Sequence, residues 1–181
     1  DTSHYIEQRD LPLTNATYTA TAFIKKAERY SVYFSVVAVG ESPTVSGIKL
    51  NLSTGEVNLM DGIVSSGSVD YYGNGWYRVS ITYTIDSTIT SHRTRLNLLS
   101  TNGSQAYTGD GVSGVYIFGF DTQLGSSPTP YIKTEGAQVT RQADVCTIED
   151  IDQSDWWNPN EGTFVVEFEL PTDHETQPAN S

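Results

Sequence analysis

Apolar and polar residues alternate along most of this chain, and the alternation is cleanest just after Gly73-Asn74-Gly75. Tyr77, Val79, Ile81, Tyr83 and Ile85 fall on one side; Trp76, Arg78, Ser80, Thr82 and Thr84 fall on the other. A period of two is the period of a strand, and two glycines around an asparagine supply the positive-φ positions of a tight turn leading into it. Residues 18–25 set Tyr18, Ala20, Ala22 and Ile24 against Thr19, Thr21 and Phe23. Residues 30–39 set Tyr30, Val32, Phe34, Val36 and Ala38 against Ser31, Tyr33, Ser35, Val37 and Val39. Shorter strands are predicted at 4–8, 48–52, 56–59 and 93–99, with Ser53-Thr54-Gly55 closing a hairpin between the middle two. Residues 62–69 read as a loop or an irregular edge strand. Residues 115–120 are the most apolar run, which predicts a strand buried on both faces. Residues 126–130 form a Pro-rich turn, and 132–139 close the domain.

No stretch offers a long amphipathic helix to cover a strand with one dry face, so a second sheet must do it. The prediction is an all-β, two-sheet sandwich with Tyr77, Val79, Ile81, Tyr83, Val115 and Ile117 buried between antiparallel sheets. After Val145 the texture changes. Glu149, Asp150, Asp152 and Asp155 cluster around Trp156-Trp157, a new alternating strand spans 163–170, and a polar tail spans 171–181. The expected organisation is a sandwich over 1–145, then a linker, the start of a following domain and a tail over 146–181. Beginning at Asp1 and reading as strand by Tyr5, the chain is expected to be a segment of something longer.

Composition narrows the chemistry. Ten basic against 22 acidic residues give a net charge of −12, which repels phosphate backbones and anionic lipid. Lys25-Lys26 is the only basic pair in the linear sequence, so no nucleic-acid or membrane-surface partner is expected. No apolar run approaches the ~20 residues of a membrane-spanning helix, so no membrane insertion is expected either. The single Cys146 can make no internal disulfide, and no zinc spacing exists. His4, His92 and His174 belong to no catalytic motif and read as surface residues. With no nucleophile motif either, the chain is expected not to be an enzyme. The aromatics carry more information, because a sugar's C–H face stacks on Tyr or Trp while polar neighbours bond its hydroxyls. Tyr71, Tyr72 and Tyr107, on turns, and Trp76, on the face away from the core, are the carbohydrate-binding candidates. Arg78 shares the face of Trp76 and presents a planar fork of donors.

Several segments, taken in order, resemble the carbohydrate-binding-module-like jelly rolls of bacteriophage tail and head fibre proteins. They are the segment from Tyr18-Thr19-Ala20 to Glu28-Arg29, Asn51-Leu52-Ser53-Thr54-Gly55-Glu56-Val57, Gly73-Asn74-Gly75-Trp76-Tyr77-Arg78, Gly114-Val115-Tyr116-Ile117-Phe118-Gly119, and Pro130-Tyr131-Ile132 through Gln142-Ala143-Asp144. The likeness covers roughly residues 2–169. It implies a galactose-binding-like jelly roll whose first strand precedes His4, with residues 161–168 leading into a lectin-like sandwich. It also implies a non-catalytic virion-surface module that binds host-surface or environmental polysaccharide, trimeric and in company with other virion proteins. Related jelly rolls often hold a structural calcium, for which Asp110 and Asp121 are the candidates here. The stretch Phe118-Gly119-Phe120-Asp121-Thr122-Gln123-Leu124 departs from the family, which more often has an aromatic, a glycine, an alanine and then a Gln-Leu pair. A purely structural fibre module, or an accessory domain of a polysaccharide-degrading enzyme, fits the same fold.

Overall fold

A computed structural model of the chain describes residues 2–40, 44–60, 62–142, 145, 147, 158–163, 165 and 167, and every regular element among them is a strand. In chain order these are β1 (Thr2–Gln8), β2 (Ala16–Lys26), β3 (Ser31–Val39), β4 (Val45–Asn51), β5 (Val57–Met60), β6 (Val64–Gly73), β7 (Trp76–Ile85), β8 (Ser91–Leu98), β9 (Ala106–Tyr107) and β10 (Val115–Leu124). They form a six-stranded sheet, β5-β4-β3-β8-β1-β9, and a four-stranded sheet, β10-β2-β7-β6. Both are antiparallel and one curls into a half-barrel, an architecture consistent with a jelly-roll sandwich.

Register puts the apolar positions face to face. Tyr18, Ala20 and Ala22 of β2 stand opposite Tyr83, Ile81 and Val79 of β7, while Val32 and Phe34 of β3 stand opposite Leu98 and Leu96 of β8. A slip of one residue would turn each set outward, so the pattern itself holds the register. Phe34 meets Phe120 of β10 edge-on at 5.7 Å, and Thr94 and Thr122 join their hydroxyls at 2.9 Å. Val79, Ile81 and Tyr83 are buried as expected; Tyr77, Val115 and Ile117 are half-buried and pack against the rim of the core. One sequence reading of the strands needs correction: β10 lies at a sheet edge, and Tyr116 and Phe118 are exposed rather than buried on a second face. The irregular edge strand expected within 62–69 is present as β6, which runs on to Gly73 at the sheet edge with register shifts near both ends. Residues 132–139 form no regular element.

His92 is also a correction, because it is buried. Its Nε2–H donates to the Pro12 carbonyl at 2.9 Å, which leaves Nδ1 to accept from the Tyr83 hydroxyl at 3.3 Å. The Tyr18 hydroxyl donates to the same carbonyl at 2.8 Å. Together these groups tie the segment between β1 and β2 across one end of the sandwich. Burial holds the His92 imidazole below its ordinary pKa, partly offset by the bond to Pro12, and pushes the Tyr83 phenol up. His4 is half-buried with Nε2 3.1 Å from the Tyr107 carbonyl, and His174 lies outside the described residues.

Contact density divides the chain into Asp1–Lys133, which holds every strand found among the described residues, and Thr134–Ser181. The expected boundary at 145 therefore falls inside the second unit. Its described residues carry no strand or helix; the Asn160 amide donates to the Asn158 side chain in a short turn. Of the strand expected at 163–170 only residues 163, 165 and 167 are described, and Cys146, Trp156-Trp157 and the tail lie outside the described residues. Among the described residues no helix is long and apolar enough to cross a membrane.

Candidate carbohydrate-binding site

The outward face of the four-stranded sheet divides into two halves along its strands. One half is hydroxylic: Thr19, Thr21, Ser80 and Thr82 point away from the core yet are buried. They are covered because the chain folds back after β10. The Thr19 hydroxyl donates to the Gly125 carbonyl at 2.8 Å, the Gly125 amide donates to Thr17 at 2.9 Å, and Gln123 Nε2 donates to Ser127 at 2.9 Å. Residues 125–130 thus form a strap over this half, made of backbone carbonyls that the threonine and serine hydroxyls can satisfy.

The other half is aromatic and open. Cross-strand pairing aligns Asp70, Arg78, Phe23 and Phe118 in one row and Trp76, Lys25 and Tyr116 in the next. Tyr72, Phe23, Phe118 and Tyr131 follow one another in ring contact at 5.2, 5.9 and 5.2 Å. Tyr116 lies two residues before Phe118 on the same strand face. Tyr72, Phe118 and Tyr116 are 58%, 55% and 59% exposed. Gly119 permits this display. It adopts φ 58° at the register shift between Phe118 and Asp121, so one extra residue enters β10 and both Phe118 and Phe120 find room, one outward and one inward. A Cβ at Gly119 would press on Phe23 at 3.2 Å and Tyr131 at 3.3 Å.

Of the five predicted sugar contacts, the structure brings Tyr72, Trp76 and Arg78 to this face. Arg78 is a brace: its Nη2 donates to the Thr129 carbonyl at 2.6 Å and its guanidinium lies 5.5 Å from the Phe23 ring. Trp76 is half-buried beside the hairpin. Tyr71 points to the opposite side of β6, where its ring meets Tyr77 at 5.2 Å and its hydroxyl accepts from the Gly75 amide. Tyr107 sits on the other sheet, in β9, packed on Arg29 at 4.7 Å and His4 at 4.5 Å. It lines a hollow of about 400 Å³ next to another of about 250 Å³, the two sharing Arg29, Asp110 and Ser113.

Asp110 caps its own turn. Its Oδ1 accepts from the Val112 and Ser113 amides at 3.1 and 2.8 Å, its Oδ2 accepts from the Ser113 hydroxyl, and Arg29 stands 3.7 Å away. The Ser113 hydroxyl, then the two amides and Arg29, hold this carboxyl well below the usual range. Asp110 precedes β10 and Asp121 follows its bulge, so at about 3.3 Å per strand residue the two are set far apart. Among the described residues no three His, Cys, Asp or Glu side chains gather into a metal-binding group.

No family model and no curated protein matches this chain. The site therefore rests on its geometry. Sequence reasoning missed Phe23, Phe118, Tyr116 and Tyr131. Three of the four stood in segments read as strand or core, and the signal that would have exposed two of them was the glycine between Phe118 and Phe120, which marks a bulge rather than a buried run.

Proposed function

We propose that this chain is a non-catalytic module that binds glycans through the aromatic half of the four-stranded sheet. The observation that carries the reading is the run of rings at Tyr72, Phe118 and Tyr116, each more than half exposed on one sheet face and backed by Phe23. Apolar rings in such a patch are seldom left to water without a partner. A pyranose offers a C–H face of matching size, and Asp70, Lys25 and the Tyr72 and Tyr116 hydroxyls supply polar groups at its rim. The likeness to phage fibre jelly rolls supports a place on a virion surface beside other virion proteins, with host-surface or environmental polysaccharide as the partner. Contact on an open sheet face is weak per site because water competes for each hydrogen bond. A homotrimer would multiply it. A glycan array probed with the full chain tests this: retention on a set of related polysaccharides is the expected result, and an array without retained glycan leaves a structural module as the better reading.

A further inference from the structure

The outward face of the six-stranded sheet gathers what the sequence scatters. Cross-strand pairing sets Asn58, Lys49, Tyr33, Asn97 and Tyr5 in one row, and Ser35, Arg95 and Glu7 in the next. Arg93 follows on β8, and Arg9 lies just past β1. Arg9, Lys49, Arg93 and Arg95 are four of the ten basic residues of a chain whose net charge is −12, and Glu7 is the acid among them. Arg95 is spent on Glu7, with Nε and Nη2 both donating to Oε2 at 2.9 and 2.8 Å. Arg93 Nε stands 3.3 Å from the same oxygen but makes no hydrogen bond there. Lys49 lies over the Tyr33 ring at 5.9 Å, and Arg95 over Tyr5 at 4.0 Å.

Asn97 stands between those two tyrosines in register. It is 1% exposed, and neither its Oδ1 nor its Nδ2 has a hydrogen-bond partner. A buried amide left wholly unpaired is rare in folded proteins because each orphaned group forfeits its bonds to water. The missing partner must do two things: accept from Nδ2 and donate to Oδ1. A carboxylate or phosphate oxygen can only accept, whereas a sugar hydroxyl, like a water molecule, does both. The surrounding cations ask in addition for negative charge.

We infer that this face is a second binding site, distinct from the aromatic half of the other sheet, and that its ligand is an acidic glycan of the uronate type. A sugar hydroxyl pairs with the Asn97 amide, reached as the long Lys49 side chain turns aside from Tyr33 while Arg95 stays on Glu7. A ring carboxylate meets Lys49 and Arg93, and the exposed Tyr5 ring flanks the sugar. Nucleic acid fits less well, since its phosphate oxygens can accept from Nδ2 but cannot donate to Oδ1, and its charges meet an acidic protein around a small basic island.

Titration calorimetry of the full chain with polygalacturonate, with the same polymer after reduction of its carboxyl groups, and with single-stranded DNA tests the inference. Polygalacturonate should bind, more weakly as salt rises. The reduced polymer and the DNA should bind about tenfold more weakly or not at all. Asn97→Leu, which removes the orphaned amide, should abolish binding while the Tm holds or rises. The double variant Lys49→Met and Arg93→Met gives an independent check should Asn97→Leu fail to fold, and it should lose binding too. Val112→Ala, on the exposed loop between β9 and β10, should leave polygalacturonate binding unchanged. No binding of polygalacturonate, equal binding of the reduced polymer, preference for DNA, or full binding by either folded variant overturns the inference.

Discussion

On the four-stranded sheet the outward side chains sort along the strand axis, hydroxyls at one end and rings at the other; on the six-stranded sheet they sort by charge, with arginines and a lysine around an amide. Both faces come from the same period-two alternation and flank one shared core. They differ in what is laid over them. Strap 125–130 takes up the hydroxyls of Thr19 and Thr82 and leaves Phe118 and Tyr116 bare, whereas on the other face Lys49 and Arg95 fold onto Tyr33 and Tyr5. Alternation decides which side a residue takes. The cover on that side decides whether it is displayed.

The largest expected effect removes both faces at once. Phe34 is fully buried and meets Phe120 across the sandwich, so Phe34→Ala should cost about 3–5 kcal/mol in denaturant unfolding and lower binding at either face in proportion to the unfolded fraction. A loss below about 1 kcal/mol would mean that the two sheets do not depend on this contact. Arg78→Met separates the faces instead. Losing the charged bond to Thr129 should cost about 1–3 kcal/mol and speed amide exchange at Gly125, whose N–H is held by Thr17 under the strap. Amides shared by β3 and β8 should exchange as before; equal acceleration in both sheets would show that the strap is not a local device.

Acid should act more gently and in two steps. His92 is held neutral by burial, so its contribution is whole above the unfolded value of about 6.5 and is lost as pH falls through its lower folded value. Burial pushes the Glu7 carboxyl up, but hydrogen bonds from Arg95 and Arg9 outweigh it and hold the group below 4.5. Its contribution is present above about 4.5 and lost as pH falls through its folded value. A Tm profile should therefore decline first below pH 6.5 and again below 4.5. His92→Gln should flatten the upper step and Glu7→Gln the lower; a profile unchanged by both would contradict the assignment.

Much of the sandwich is legible in the chain. Tyr18, Ala20, Ala22 and Ile24, and Val79, Ile81 and Tyr83, declare their inward side by spacing alone, and Ser53-Thr54-Gly55 declares its hairpin. The candidate site is legible only in part. Tyr72, Trp76 and Arg78 are found because they flank a turn or occupy the polar side of a strand. Phe118 and Tyr116 are hidden in an apolar run, since composition does not tell a central strand from an edge. Arg78 reads as a free donor because nothing in its neighbourhood foretells Thr129, 51 positions away, as its acceptor. The basic island is invisible for the same reason: Arg9, Lys49, Arg93 and Arg95 meet only through pairing of strands distant in sequence.

The proposed function requires that the rings of the four-stranded sheet serve a ligand and not the fold. The most direct test takes a glycan retained by the wild-type chain and measures its affinity and the Tm side by side for the triple variant Tyr72→Ala, Tyr116→Ala and Phe118→Ala. Because all three side chains are more than half exposed, the Tm should move little, at about 0.5 kcal/mol or less per position, while affinity should fall by about a hundredfold or more, a loss of roughly 2.7 kcal/mol. Unchanged affinity in a folded variant, or a variant that no longer folds, would contradict it.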